Sequence, residues 1–471
     1  NIDYMNLSIP IQRIDTVSRN VNDPLDVVTK RNYPVYATFY SDGTKYTSQS
    51  VKYEGYAYEP TAPSKTGYSF AGWYADSSFK TKFNFNTKLT SNVSIYAKWN
   101  IRAYNINYNL NSGAWNGSSQ SKTYTINDCE KALPTPVRTG YIFEGWKNTS
   151  GDYIGKLPTS NYLGDLSLTA SWIEGSEGLT FTTRYSGTTY VTVTGYTGNN
   201  ANVVVPKTYR SIPVECISAS AFSNQARIRS ISLPDSLTSI ESNAFAGCTG
   251  LTSIVIPDKV TSVNSTAFSG CINIATVSMP ASIRNYIPNV KNVTITSGSA
   301  IQASAFENCT TLSSVTLPNS LVSIGNKAFY GCTNLNGLNI PSNVTSIGAN
   351  AFYNCTSIST IVLPDSISSL DSTAFTGCSN IKSVSLSAMF ISLIPKANLQ
   401  EIIITSGQSI PERAFYNCSQ LTKVVLPKSI TDIGNNAFYG CTSLSYLEWN
   451  ANECISAGSK TYPIFANCSN L

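Results

Sequence analysis

The dipeptide Ala-Phe recurs along this chain with Phe at 222, 245, 268, 306, 329, 352, 375, 415 and 438, and Phe465 follows in a variant. The spacings are 23, 23, 38, 23, 23, 23, 40, 23 and 27 residues. A period near 23 residues, sustained this long, excludes one compact core. Each repeat is a short unit that cannot bury its apolar face alone, so burial must come from stacking on its neighbours.

Within a unit, Leu312-Ser313-Ser314-Val315-Thr316-Leu317-Pro318 alternates as a strand does and ends at a Pro that cannot donate to a continued ladder. Leu321-Val322-Ser323-Ile324-Gly325 turns the chain back, and Ala328-Phe329-Tyr330-Gly331-Cys332 closes the coil. Stacked in register, the rings of Phe245, Phe268, Phe329, Phe352 and Phe375 form a continuous structural ladder. Deleting one should cost roughly 3–5 kcal/mol plus local opening. The spacings of 38 and 40 both contain Ile-Thr-Ser-Gly, at 295–298 and 404–407, and each hides one shortened coil. The count comes to about 12 coils rising roughly 4.8 Å each, a rod section of roughly 55–60 Å.

Of twelve Cys, nine stand three residues after a recurring Phe: Cys248, Cys271, Cys309, Cys332, Cys355, Cys378, Cys418, Cys441 and Cys468. Many Cys in a secreted chain first suggest disulfides. One Cys per coil at a single site instead makes a stacked row, so Cys248, Cys271, Cys332, Cys355 and Cys378 are read as buried free thiols acting as small apolar residues. Cys129, Cys216 and Cys454 fall outside the row, and a Cys216–Cys248 disulfide stays open. With no CxxC pair and no His, neither metal nor cofactor is expected. The sequons at Asn308, Asn354 and Asn417 arise from the repeat consensus itself.

A second self-similarity precedes the coils. Gly67-Tyr68-Ser69-Phe70-Ala71-Gly72-Trp73 returns 73 residues on as Gly140-Tyr141-Ile142-Phe143-Glu144-Gly145-Trp146, and the same offset relates Tyr96-Ala97-Lys98-Trp99 to Thr169-Ala170-Ser171-Trp172. Two matches at one offset mark a duplication. Each copy opens on an alternating strand pattern, Val35 to Tyr40 and Tyr104 to Tyr108. In modules of roughly 70 residues, Tyr68, Phe70, Trp73 and Trp99 supply much of the core. Aromatics fixed in both copies within a Gly-x-x-x-x-Gly turn serve the fold rather than a sugar-stacking platform.

Between modules and coils, Leu179 to Tyr185 and Thr189 to Tyr196 alternate around Ser186-Gly187, a hairpin signal, and Val203-Val204-Val205-Pro206 resembles a first solenoid strand. The hairpin is the candidate cap over the first apolar coil. The expected division is 33–100 and 101–174 for the modules, 175–212 for the cap hairpin and 213–471 for the solenoid. Residues 1–32 match neither repeat and read as the end of an upstream part. Phe465, Cys468 and Leu471 open a coil whose strand is missing.

The GYxFxGW signature with its closing xxW strand, from about Tyr33 to Trp172, resembles the Listeria-Bacteroides repeat, also called the internalin-type B repeat. The pattern LxxVxLPxxLxxIxxxAFxxC, from about Val203 to Leu471, resembles the BspA-like, or Treponema-type, leucine-rich repeat. The resemblance implies a mainly β chain: two small β-grasp-like modules, then a right-handed leucine-rich-repeat solenoid with a parallel sheet and short helical turns. It also implies a bacterial cell-surface or secreted protein. Modules of the first family space or attach surface proteins, and several members of the second are adhesins.

Charge narrows the function further. Only 13% of residues are charged, the net charge is +5 and Lys and Arg form no run, so no nucleic-acid partner or polybasic membrane patch is expected. Histidine is absent, which removes imidazole-based nucleophile activation and most common hydrolase mechanisms. Asp235, Asp258 and Asp365 recur just after the strand Pro and read as turn residues, not catalytic carboxylates, so no enzyme is expected. No apolar run reaches the length of about 18 residues that a transmembrane segment needs, and 1–30 lacks the basic start and apolar run of a signal peptide.

What remains is binding. Strand positions pointing away from the core form two rows of small, nearly uncharged residues: Ser230 and Ser232, Ser253 and Val255, Thr276 and Ser278, Ser314 and Thr316, Gly337 and Asn339, Thr360 and Val362. Towards the C-terminus they change to Glu401 and Ile403, Lys423 and Val425, Tyr446 and Glu448. Glu401, Lys423, Tyr446 and Glu448 are therefore the candidate ligand-binding residues, since an aromatic beside charges is typical of interfaces. The competing reading is a cross-strand Glu401–Lys423 ion pair on a solvated sheet. The expected molecule is monomeric and binds an extracellular protein or glycan; the alternative is a non-binding stalk that presents another domain.

Overall fold

The computed structural model describes residues 33–471, so the segment 1–32 lies outside the described residues. The chain divides into two compact units, one of 33–136 with 145–171, the other of 137–144 with 172–471.

In the first unit, Val35–Ser41 and Thr44–Val51 form a hairpin over Asp42-Gly43, both left-handed, as a two-residue loop requires. Val35–Ser41 then pairs in parallel with Val93–Ile101, whose other edge takes Tyr68–Tyr74 antiparallel. A sheet in the order second, first, last, third with a parallel central pair is the β-grasp arrangement; the crossover from 52 to 67 contains no helix. The second module repeats the order, with Tyr104–Asn109 parallel to Leu166–Glu174 at its centre.

The copied Gly-x-x-x-x-Gly motif is a strand and not the turn expected of it. Gly72 sits at a bulge with φ 116, and Gly145 has φ 136, so a side chain at either would be strained. The bulge turns Trp73 inward, where it is 1% exposed and meets Phe39 edge-on at 4.9 Å. Phe70 and Trp99 pack against that core at its margin.

In the second unit, Leu179–Ser186 and Thr188–Tyr196 form the hairpin, and its second strand continues in parallel with Ile212–Ile217, Ser239–Ile240 and Ser262–Val263. Asn202–Val204 pairs in parallel with Ser230–Ser232 and so starts the other row of strands. That row has twelve members among the described residues, ending at Tyr446–Trp449. Strand residues such as Ile254, Val277, Val293 and Val315 point inward, with small residues such as Ser253, Val255, Thr276 and Ser278 outward.

The Ala-Phe turns form the third side. Phe306 N–H donates to the Ala328 carbonyl of the next coil, Phe329 to Ala351 and Phe352 to Ala374, and the rings stack with centroids 5.2–5.3 Å apart and nearly parallel planes. The ladder is not continuous, however. Rings stack in three runs, 222–268, 306–375 and 415–465, and the breaks fall at the shortened coils. Each shortened coil joins two strands of the row begun by Asn202–Val204 directly, Thr276–Met279 to Asn292–Ile295 and Ser383–Leu386 to Glu401–Ile404, with no strand of the Ser239–Ile240 kind and no Ala-Phe turn. Ile283 and Ile287 fill the first gap; Phe390 and Ile391, on the 3-10 helix Ala388–Leu393, fill the second.

Asp258 and Asp365 do more than turn the chain. Asp258 accepts from Thr296 Oγ1, and Asp365 from both Thr405 Oγ1 and Ser406 Oγ, so each carboxylate reaches over a shortened coil to the Ile-Thr-Ser-Gly segment beyond it. Asp235 has no shortened coil beside it and lies 4.0 Å from Lys207.

The cysteines also differ from apolar filler. All twelve are free thiols. Cys248, Cys271, Cys332, Cys355, Cys378, Cys441 and Cys468 each donate Sγ–H to the Phe carbonyl of the preceding coil, at 3.0–3.2 Å. Cys309 and Cys418 follow the shortened coils, which offer no such carbonyl; Cys309 Sγ instead accepts from Asn285 Nδ2 at 3.4 Å. Cys216 and Cys248 are not joined, since Cys216 turns to Glu241 Oε1 at 3.5 Å.

Candidate binding face on the last coils

The outward rows read Ser230, Ser253, Thr276, Asn292, Ser314 and Gly337 over the early coils, all at strand starts held in register by parallel pairing. Neighbouring hydroxyls and amides bond along the row, as Ser314 Oγ does to Asn292 Oδ1 at 2.7 Å. Such a surface has hydroxyls but no anchor.

On the last coils the register places Ser383, Glu401, Lys423 and Tyr446 side by side on consecutive strands. Lys423 Nζ lies 2.7 Å from Glu401 Oε1 and 5.7 Å from the centre of the Tyr446 ring. Ser383 Oγ donates to the other Glu401 oxygen at 3.2 Å. The Lys423 hydrogen bond holds the Glu401 carboxyl below its usual range, and Glu401 in return raises the lysine. The line is thus a chain of charge-assisted contacts rather than four separate groups.

Glu448 stands in the parallel row, opposite Val425. It accepts from Tyr446 Oη at 3.4 Å and from Asn450 Nδ2 at 2.9 Å, so it fixes the tyrosine ring without joining the ion pair. Tyr446 remains half exposed. Ser383 went unremarked in the sequence although it occupies the same register position; its single hydroxyl gave no reason to separate it from the Ser and Thr before it.

Among the described residues, no three His, Cys, Asp or Glu converge to hold a metal ion, and no helix is long and apolar enough to cross a membrane.

The coils match the BspA type leucine rich repeat region at 215–291, 299–397 and 394–471, in six copies, and the modules match the Listeria-Bacteroides repeat domain at 36–98 and 104–171. Internalin H of Listeria monocytogenes is 32% identical over 133 residues, covering 26% of this chain and 23% of that protein. A protein of Evansella cellulosilytica named as a Gly-rich membrane protein is 30% identical over 138 residues, covering 29% and 16%. The match thus spans less than a quarter of these curated relatives. Among solved structures, a leucine-rich repeat protein from Bacteroides ovatus is 25% identical and covers 63% of this chain and 92% of that one, with a TM-score of 0.32. With its family pattern matched over more than half its length, the chain belongs to the BspA type leucine rich repeat proteins and carries two Listeria-Bacteroides repeat domains.

Proposed function

We propose that this is a non-catalytic, extracellular or surface-held bacterial repeat protein that binds an extracellular protein or glycan through the outward face of its last coils. The observation that carries the reading is the Glu401–Lys423–Tyr446 line, which puts charge and an exposed aromatic on a sheet whose earlier coils present small, nearly uncharged residues. Aromatic and charged anchors concentrate binding energy, while a Ser/Thr face contributes complementarity. In this reading the chain works as a monomer, with modules at 33–100 and 101–174, a cap at 175–212 and the solenoid at 213–471.

The test is saturable binding of the purified chain to a panel of matrix proteins and glycans. Binding to none of them would contradict the proposal.

One observation favours a second reading, a stalk that binds nothing and presents another domain. Lys423 is already paired with Glu401, and the Tyr446 hydroxyl is already bonded to Glu448.

A further inference from the structure

We infer that the first module carries a shallow sugar-binding site that its duplicate lacks. The central strand pair of the first module puts Tyr40 beside Tyr96, with rings 5.5 Å apart and 21° from parallel. The same pair in the second module puts Asn109 beside Thr169. Parallel register, rather than a constant sequence offset, makes these positions equivalent.

The adjoining loop differs in the same sense. In the first module, Phe79 N–H donates to the Asp76 carbonyl at 3.1 Å, and the Asp76 carboxylate accepts from the N–H groups of Ser78 and Lys80. In the second, Gly151 N–H donates to the Asn148 carbonyl at 3.0 Å, and Asn148 Oδ1 accepts from Ser150 and Asp152. Phe79 therefore stands where the duplicate has Gly151. Both are left-handed, with φ 58 and 88, a conformation that glycine adopts freely and a bulky residue adopts only at a cost.

At three places, then, one backbone carries polar or small residues in one copy and an aromatic ring in the other. A fold that stands with Asn109, Thr169 and Gly151 does not need the rings, and strain at Phe79 marks function rather than stability. All three rings line one depression of about 310 Å³, with Tyr68, Trp99 and the Asp42–Lys65 ion pair around it.

This lining selects its ligand. Flat aromatic faces stack against the C–H face of a pyranose ring, and a carboxylate and ammonium at the rim exchange hydrogen bonds with its hydroxyls. A cationic ligand is disfavoured, because Lys65 and Lys98 already stand 4.4 and 4.8 Å from the Tyr68 and Tyr74 ring centres. The site lies within the first unit and is independent of the solenoid face.

Saturation-transfer difference NMR on the full chain, with the methyl glycosides of glucose, galactose, mannose and N-acetylglucosamine, tests the inference. At least one glycoside should receive saturation through its ring C–H protons. Y40N/Y96T, which installs the residues of the second module, should cut that transfer about fivefold or more at unchanged thermal midpoint. F79G should weaken it too, while keeping the loop at least as stable. Transfer to none of the four glycosides, or transfer that survives in Y40N/Y96T, overturns the inference.

Discussion

The thiol of Cys355 donates to the carbonyl of Phe329 in the preceding coil, 3.1 Å away, in an interior where both residues are fully buried. The recurring Cys is therefore a rung between coils. We predict that Cys355→Ser, which keeps a donor, loses less stability than Cys355→Ala, by about 1 kcal/mol. Urea midpoints of the two variants decide it; the reverse order would return the cysteine to the role of apolar filler.

The same burial makes the rod sensitive to alkali. Burial pushes the Cys378 thiol up to about 12 and raises Cys332 and Cys355 further. A thiol whose folded value exceeds its unfolded value stabilises the fold fully below the unfolded value, and that contribution is lost as pH rises towards the folded one. Stability should therefore fall from about pH 9 upward, by about 1.4 kcal/mol per pH unit for each such thiol. Thermal melts from pH 7 to 11 check this; replacing several row cysteines by Val should flatten the decline, and an unchanged slope would count against the thiols as its source.

Asp365 bridges a shortened coil through Thr405 and Ser406, whereas Asp235, at the equivalent place on a regular coil, has only a 4.0 Å ion pair with the exposed Lys207. Asp365→Ala should cost about 1 kcal/mol and Asp235→Ala close to nothing, read as denaturation midpoints. Equal effects would reduce both to turn residues.

The two modules differ at their shared tryptophan. Trp146 Nε1–H donates to the Pro134 carbonyl at 2.8 Å, while the buried Trp73 Nε1–H has no partner. Substitution by Phe removes similar volume from both cores but discards a hydrogen bond only at 146. Trp146→Phe should cost about 1 kcal/mol more than Trp73→Phe, measured by denaturation of the full chain.

Much of this fold was legible because its period was. Ala-Phe spacing marked the coils, and the spacings of 38 and 40 located the two shortened ones. Spacing records how much chain a coil lacks but not which side of the coil is omitted, so the broken Phe ladder and the reach of Asp258 and Asp365 were hidden. The thiol bonds were hidden for a related reason: a row of Cys reads alike whether each fills space or donates to the coil before it. The candidate face was visible because Glu401, Lys423 and Tyr446 interrupt a monotonous row. The aromatic surplus of the first module was not, since Tyr40 and Asn109 become equivalent only once strand register is known.

The binding face is tested most directly by equilibrium affinity for whichever panel ligand the chain retains, compared across wild type, K423E/Y446A and a T276A/T316A control of matched thermal stability. The account predicts at least about tenfold weaker binding for K423E/Y446A and an unchanged affinity for the control. Wild-type affinity in K423E/Y446A would contradict it.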